Sequence, residues 1–196
     1  MLKFFASFLI ILNPIALFVY LLPLKKERGL GTFMQVLFKA SIISGLIYII
    51  FAVFGKSIFS FLKVDFEAFR IFGGTVLLSF ALSFILQGKD SMIRTRGELN
   101  KIAAEVALPF IVGAGTITLS ILVGEALTPL KSIFTIISVM VANFIIIMIL
   151  AKIRYGLKKK PQVVFDKNAE ILLRLNGFIV GAYGVDLIIT GIKQAF

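Results

Sequence analysis

The sequence predicts an all-α membrane protein with six transmembrane helices, arranged as a 3+3 inverted repeat in which helices one and four are broken near mid-membrane. Three observations lead to this prediction: a composition too apolar for a water-soluble chain, six segments of membrane-spanning length, and helix-breaking residues inside two of those segments. The 196 residues are 59% hydrophobic with a mean hydropathy of +1.04. Such values are typical of a polytopic membrane protein.

The six segments follow from the thickness of the bilayer. A hydrocarbon core of roughly 30 Å needs about 20 apolar residues per helix. The connections are short and carry most of the charge, so no part outside the membrane can bury its own core. We expect a single transmembrane domain over residues 1–196, with one repeat at about 1–98 and the other at about 99–196. The predicted spans are 4–24, 33–54, 68–87, 106–126, 132–151 and 171–192.

The distribution of charge predicts the orientation of the chain in the membrane and bears on its partners. The net charge of +11 comes from lysines and arginines in the connections, where the positive-inside rule places them, so nucleic acid is not an expected partner. With the N-terminus outside, thirteen cations lie in the inner connections and five outside. This count favours a multi-pass protein of the cytoplasmic (inner) membrane with both termini extracytoplasmic. The first apolar run is too long for a signal-peptide core and is expected to remain as helix one.

Cysteine, histidine and tryptophan are absent. Disulfides, the usual zinc and haem ligands, and thiol or imidazole nucleophiles are therefore excluded. We expect no cofactor, no metal and no enzymatic activity.

Two segments of the chain repeat at nearly the same offset. Arg70-x-x-Gly73 in the third span lies over Arg174-x-x-Gly177 in the sixth at an offset of 104, and Pro14 lies over Ala114 at an offset of 100. Because each half has an odd number of spans, the second half enters the membrane from the opposite side and the repeat is inverted.

The first interruption is Asn13-Pro14. Pro14 has no N–H and its ring clashes with the preceding turn, which frees a carbonyl near Ile10. Asn13 then places a polar amide near the middle of the span. In hydrocarbon such a break requires protein or a water-lined cavity to replace the lost hydrogen bonds.

The second interruption is Gly113-Ala114-Gly115. Thr116 and Thr118 follow it on a half-helix whose N-terminal amides suit an anion such as a carboxylate. We expect an amino acid to bind between the two interruptions, with its ammonium group held by freed carbonyls and the Asn13 side-chain oxygen. The alternative is that the proline and glycines only kink or pack the helices.

Five further polar residues are candidates for gating or coupling. Arg70 and Arg174 either gate opposite ends of the pathway or extend to the lipid headgroups, and Glu105 is a candidate partner for Arg174. Asp186 either carries a coupling proton or reaches the outer interface. Asn143 either lines a cavity or bonds between helices.

Four segments, at 12–24, 68–82, 107–122 and 172–192, resemble the MarC family, which includes small neutral amino acid transporters of the SnatA type. Their sharpest marks are Asn-Pro-Ile in span one, Phe-Arg-Ile-x-Gly-Gly in span three and Pro-x-x-x-Gly-x-Gly in span four. The family typically has Gly-Pro-Gly in span four, where this chain has Ala114 between two glycines. The resemblance implies transport of glycine, alanine and similar amino acids, coupled to an ion gradient. Matched residue by residue, it implies a substrate region of Asn13, Pro14, Ile15, Gly113, Ala114, Gly115 and Thr116.

The sequence therefore predicts a secondary transporter of small neutral amino acids that works by alternating access, rocking one repeat against the other. Its partners would be the substrate, the lipid bilayer and a coupling cation or proton. The other hypotheses are a passive channel for small solutes, an exporter of another metabolite, and an intramembrane enzyme or assembly factor.

Overall fold

The structure is a computed structural model that describes residues 1–88 and 111–195, without the side chains at positions 20, 23 and 25–28. All regular structure within these residues is helical. In chain order the helices are α1 (Leu2–Leu12), α2 (Pro14–Leu62), α3 (Phe66–Gln87), α4 (Ala114–Ala126), α5 (Pro129–Gly156) and α6 (Lys159–Ala195).

Local sequence explains where the helices begin and end. α2 contains a non-helical residue, Gly29, with φ 83° and ψ 174°, a backbone conformation that favours glycine. Lys63 ends α2 in the left-handed region, and Asp65 caps α3 by accepting a hydrogen bond from the Glu67 N–H at 2.8 Å. Pro129 opens α5 at a position where no N–H is needed.

Five segments of the described chain are long and apolar enough to cross a membrane: Leu2–Val19, Gly29–Leu62, Phe66–Gln87, Pro129–Gly156 and Lys159–Ala195. Each contains or overlaps one predicted span. α4 covers the second part of the predicted span 106–126, and residues 106–110 lie outside the described residues.

One face of the helices is built for contact with lipid. On α5, large apolar side chains about half exposed recur every four residues at Ile137, Val141, Ile145, Ile149 and Ile153. In water such a continuous apolar stripe would drive association. The chain is thus an integral, multi-pass membrane protein whose apolar exterior faces the hydrocarbon.

The helices pack mainly in two pairs. α3 lies against α6 over most of its length, and α2 lies against α5. α4 contacts both α2 and α3, while α1 lies chiefly against α5. Glycines bring α3 and α6 together, since a Cβ at Gly177, Gly184 or Gly191 would meet α3 at 3.3 Å or less. The glycines of the last span therefore serve close packing, and α3 is their neighbour.

Candidate functional site

Asn13 alone separates α1 from α2, and Pro14 is the first residue of α2. Asn13 has φ 49° and ψ 71°, in the left-handed region that asparagine tolerates better than most residues. Its Oδ1 accepts a hydrogen bond from the Ala16 N–H at 3.0 Å and caps α2. Of the two polar atoms of the Asn13 amide, only the oxygen can accept a hydrogen bond from a backbone N–H. Nδ2 therefore points away from the Ala16 N–H.

The free end of the Asn13 amide is a donor. The side chain is 3% exposed, and Nδ2 has no hydrogen-bond partner within the described residues. The Asn13 oxygen keeps one lone pair beyond the capping bond, so its expected contact with an ammonium group stays a prediction. In addition, Asn13 offers the two N–H groups of Nδ2 to an acceptor.

A cavity lies where the two interruptions meet. Its volume is about 40 Å³. The first interruption contributes Asn13, and the second contributes Gly113, Ala114, Gly115 and Thr116. The apolar wall opposite consists of Val76, Leu77, Phe80 and Phe84 of α3, with Val180 of α6.

The second interruption is organised by Thr116. Its Oγ1 accepts from the Gly113 N–H at 2.9 Å and lies within donating distance of the Ile111 and Gly113 carbonyls, at 3.1 and 2.9 Å. The Ile111 carbonyl also accepts from the Tyr48 hydroxyl of α2. Ala114, Gly115 and Thr116 form the first turn of α4, whose N–H groups have no acceptor earlier in the same helix.

α3 supports this first turn at very short range. A Cβ at Gly73 would lie 3.0 Å from the Ala114 carbonyl, and a Cβ at Gly115 would lie 2.3 Å from Leu77 Cδ1. The two glycines therefore let α3 and the start of α4 approach closely, and Leu77 occupies the space that a side chain at position 115 would need.

Of the residues predicted for the substrate region, Asn13, Gly113, Ala114, Gly115 and Thr116 line the cavity. The other three, Pro14, Ile15 and Thr118, are outside the lining. Pro14 shapes the break, Ile15 is half-buried, and Thr118 is buried with its hydroxyl donating to the Ala114 carbonyl at 2.9 Å. Residues of both interruptions thus line one cavity, although not every residue beside them faces it.

The gating candidates lie elsewhere. Arg70 is buried, forms an ion pair with Glu67 at 2.9 Å, stacks on Phe66 and donates to Gln194 at the end of α6. Arg174 pairs with Glu170 at 3.2 Å and donates to the Ile85 carbonyl at 2.8 Å. Both arginines therefore tie α3 to α6 at opposite ends.

Three candidates remain. Asp186 is exposed on the outside of α6 and does not line the cavity. Asn143 is fully buried on α5, and neither atom of its amide has a partner within the described residues. Glu105 lies outside the described residues. Among those residues, no group of three His, Cys, Asp or Glu side chains could hold a metal ion.

Sequence reasoning missed one wall of the site and one ion pair that lies outside the cavity lining. The α3 wall of the cavity carries no sequence signal, because an apolar residue in an apolar span is expected anywhere. The second is a bidentate pair in which Arg154 Nε and Nη2 donate to Asp166 at 2.6 and 2.7 Å. Beside it, Phe165 packs edge-on against Phe18 of α2 with ring centroids 6.1 Å apart. An arginine and an aspartate twelve residues apart across a predicted loop were a detectable sign of that pair.

Several proteins are similar in sequence to this chain along most of its length. A UPF0056 membrane protein of Methanocaldococcus jannaschii is 27% identical over 97% of this chain and 95% of its own. One of Pyrococcus abyssi is 33% identical over 74% of this chain and 71% of its own. The UPF0056 membrane protein YhcE of Escherichia coli is 23% identical over 99% and 92%, respectively.

No solved structure matches the chain. The sequence profile of the MarC family of integral membrane proteins matches residues 1–196. The match spans both interruptions and every helix described above, and it agrees with the resemblance seen in the sequence. The chain therefore belongs to the MarC family.

Proposed function

We propose that this protein is a secondary transporter of small neutral amino acids, of the glycine and alanine type, and that the cavity between the two interruptions binds the substrate. The observation that carries the proposal is the buried Nδ2 of Asn13, which has no partner among the described residues and lies at a small cavity beside the first turn of α4. An unpaired buried donor costs about 1–3 kcal/mol, and a substrate that accepts its hydrogen bond removes that cost.

The polar groups around the cavity suit a zwitterion. Asn13 Nδ2 and the N-terminal amides of α4 are donors, and both favour a carboxylate. Pro14 leaves the Ile10 carbonyl without its usual helical donor, and the last carbonyls of α1 carry the negative end of the helix dipole. The ammonium group of an amino acid would be held there, at the end of α1.

The walls favour a substrate without net charge. No charged side chain is among the described residues that line the cavity, and burial of an unpaired charge is costly. The carboxylate and ammonium of a zwitterion would each meet a helix end of the opposite sign. A third charge, as in lysine or glutamate, would have no partner in this lining.

The size of the cavity favours a small substrate. One water molecule needs roughly 10–15 Å³ of cavity volume, so the 40 Å³ measured here holds about three water-sized groups. Glycine and alanine, with five and six non-hydrogen atoms, need more room than this, so even they require the walls to move outward, and larger amino acids require a larger movement.

Antiparallel packing of α3 and α6 supports an inverted repeat and alternating access. Arg70, near the start of α3, bonds to the end of α6, and its predicted counterpart Arg174 bonds to the end of α3. A two-fold axis in the membrane plane would relate these contacts. We further propose that both spans are broken near mid-membrane, that an ion gradient drives transport, and that both termini face outward from the cytoplasmic membrane.

Uptake of labelled glycine and alanine into proteoliposomes tests the proposal. Asn13→Asp keeps an oxygen to cap α2 but replaces the free donor by a second acceptor that repels a carboxylate. Because a hydrogen bond to a charged group contributes about 1.5–3 kcal/mol, we expect uptake to fall about 10- to 100-fold. Thr75→Ala is the matched control, since Thr75 is exposed and bonds only within α3.

Wild-type protein that moves neither amino acid under any ion gradient would refute the proposal. A counterflow assay distinguishes a carrier from a passive channel. Proteoliposomes loaded with unlabelled alanine should accumulate labelled alanine transiently if the protein is a carrier, and should not do so if it is a passive channel.

A further inference from the structure

Leu77 has a special position in the wall of the cavity. It is buried on α3, lines the cavity, and its side chain fills the space left by the missing side chain of Gly115, with a would-be Cβ 2.3 Å from Cδ1 and 2.5 Å from Cγ. The first turn of α4 therefore holds Leu77 in place, and the side chain cannot move toward α4 to enlarge the cavity.

The same contact sets where a substrate side chain would lie. A carboxylate held by Asn13 and the first turn of α4 sits beside Gly115, and the adjoining wall of α3 is apolar, with Leu77 nearest to that turn. The atoms attached to the substrate α-carbon would thus meet Leu77 before they meet Phe80 or Phe84.

We propose that Leu77 is the residue that sets the size limit of the substrate, restricting the side chain to hydrogen or a methyl group. The inference rests on the proposed function and assigns its selectivity to one contact between α3 and α4. A hydrophobic pocket discriminates one methylene by about 10- to 200-fold. Removal of three carbons in Leu77→Ala makes room for the two further carbons of valine.

The test compares initial uptake of labelled alanine and valine by the same proteoliposomes. For Leu77→Ala we expect the valine-to-alanine ratio to rise at least about 10-fold. Leu187→Ala is the matched control, because Leu187 is an equally buried leucine of the α3–α6 region, 9% exposed against 7% for Leu77, and does not line the cavity. Its ratio should stay that of the wild type.

A second variant covers the case in which Leu77→Ala does not fold. Leu77→Val removes one carbon and should give a smaller rise in the same ratio. An unchanged ratio in the folded Leu77 variants with normal alanine uptake, or an equal rise in Leu187→Ala, would overturn the assignment of Leu77 and leave the proposed function standing. Absence of glycine and alanine uptake in the wild type would overturn both.

Discussion

The contact between Gly74 and Gly184 is the most direct test of how α3 and α6 are held together. A Cβ on Gly74 would lie 2.5 Å from the Gly184 carbonyl oxygen and 2.7 Å from Ile188 Cγ1. A Cβ on Gly184 would in turn lie 2.7 Å from the Gly74 carbonyl oxygen. The backbones therefore touch at this crossing, and an alanine at either position must push the helices apart.

The expected cost of Gly74→Ala follows from these distances. A Cβ does not approach a backbone atom closer than 3.0 Å, so α3 must move by at least about 0.5 Å along a well-packed interface. Overpacking of this kind costs about 1–3 kcal/mol, against a gain of about 0.5–1 kcal/mol in helix propensity. We expect a net loss of up to about 2.5 kcal/mol and a fall in melting temperature of about 2–4 °C per kcal/mol.

Thermal unfolding in detergent, followed by circular dichroism at the helix band, measures the loss. Gly31→Ala is the matched control, because Gly31 is exposed within α2 and a Cβ there would meet no atom of the described residues within 4 Å. That variant should be as stable as the wild type or slightly more stable. The Gly74→Ala/Gly184→Ala double variant should lose less than the two single losses combined, since one separation relieves both clashes. A Gly74→Ala protein as stable as Gly31→Ala would refute the close crossing.

Two further predictions concern buried polar groups. Asn143→Leu should raise the melting temperature, because both polar atoms of the Asn143 amide are buried without a partner within the described residues and each unpaired group costs about 1–3 kcal/mol; a lower melting temperature would mean that the amide is paired in the membrane. Asp166→Asn should lower the free energy of unfolding by about 1 kcal/mol or less, and the melting temperature correspondingly little. The carboxylate that accepts both Arg154 hydrogen bonds is 35% exposed and is screened by solvent. Added salt should reduce the difference between Asp166→Asn and wild type, and a difference that salt leaves unchanged would contradict this reasoning.

Hydropathy located the five long apolar segments because a helix that crosses the hydrocarbon must consist of apolar residues. It did not locate the helix ends, because the helices continue beyond the hydrocarbon into segments of lower hydropathy. α6 begins at Lys159, about twelve residues before the predicted span, in a segment rich in charge. The bend of α2 at Gly29 likewise depends on one backbone angle that no apolar pattern records.

The two interruptions were predictable because proline and glycine act on the backbone directly. The direction of the Asn13 amide was also available from the sequence: an asparagine directly before a proline is a common N-cap followed by the first helical residue. That pattern assigns the oxygen to the cap and leaves the nitrogen free. Leu77 could not be found in this way, because its role depends on a contact with Gly115, 38 positions away.

The packing also bears on which parts would move during transport. Rocking one repeat against the other would slide α3 over α6, and their backbones are in contact at Gly74 and Gly184 and tied at both ends by Arg70 and Arg174. Close-packed interfaces do not deform continuously. If the protein transports as proposed, we expect α3 and α6 to move as one body. α2 and α5 form the other pair.

The cavity lies between these two pairs, with α3 and Val180 of α6 on one side and the α1–α2 junction on the other. In the proposed 3+3 repeat, α3 corresponds to α6 and the second span, in α2, corresponds to α5, so each pair contains one helix from each repeat. Movement of one pair against the other would therefore keep the two-fold symmetry of the repeat, as rocking of the repeats was expected to do. α4 connects them: its first turn rests on α3 at Gly73, and its far end meets α2, where a Cβ at Gly124 would overlap the Ala52 carbonyl oxygen. Displacement of α3 relative to α2 must therefore act on the first turn of α4, where the proposed substrate carboxylate binds.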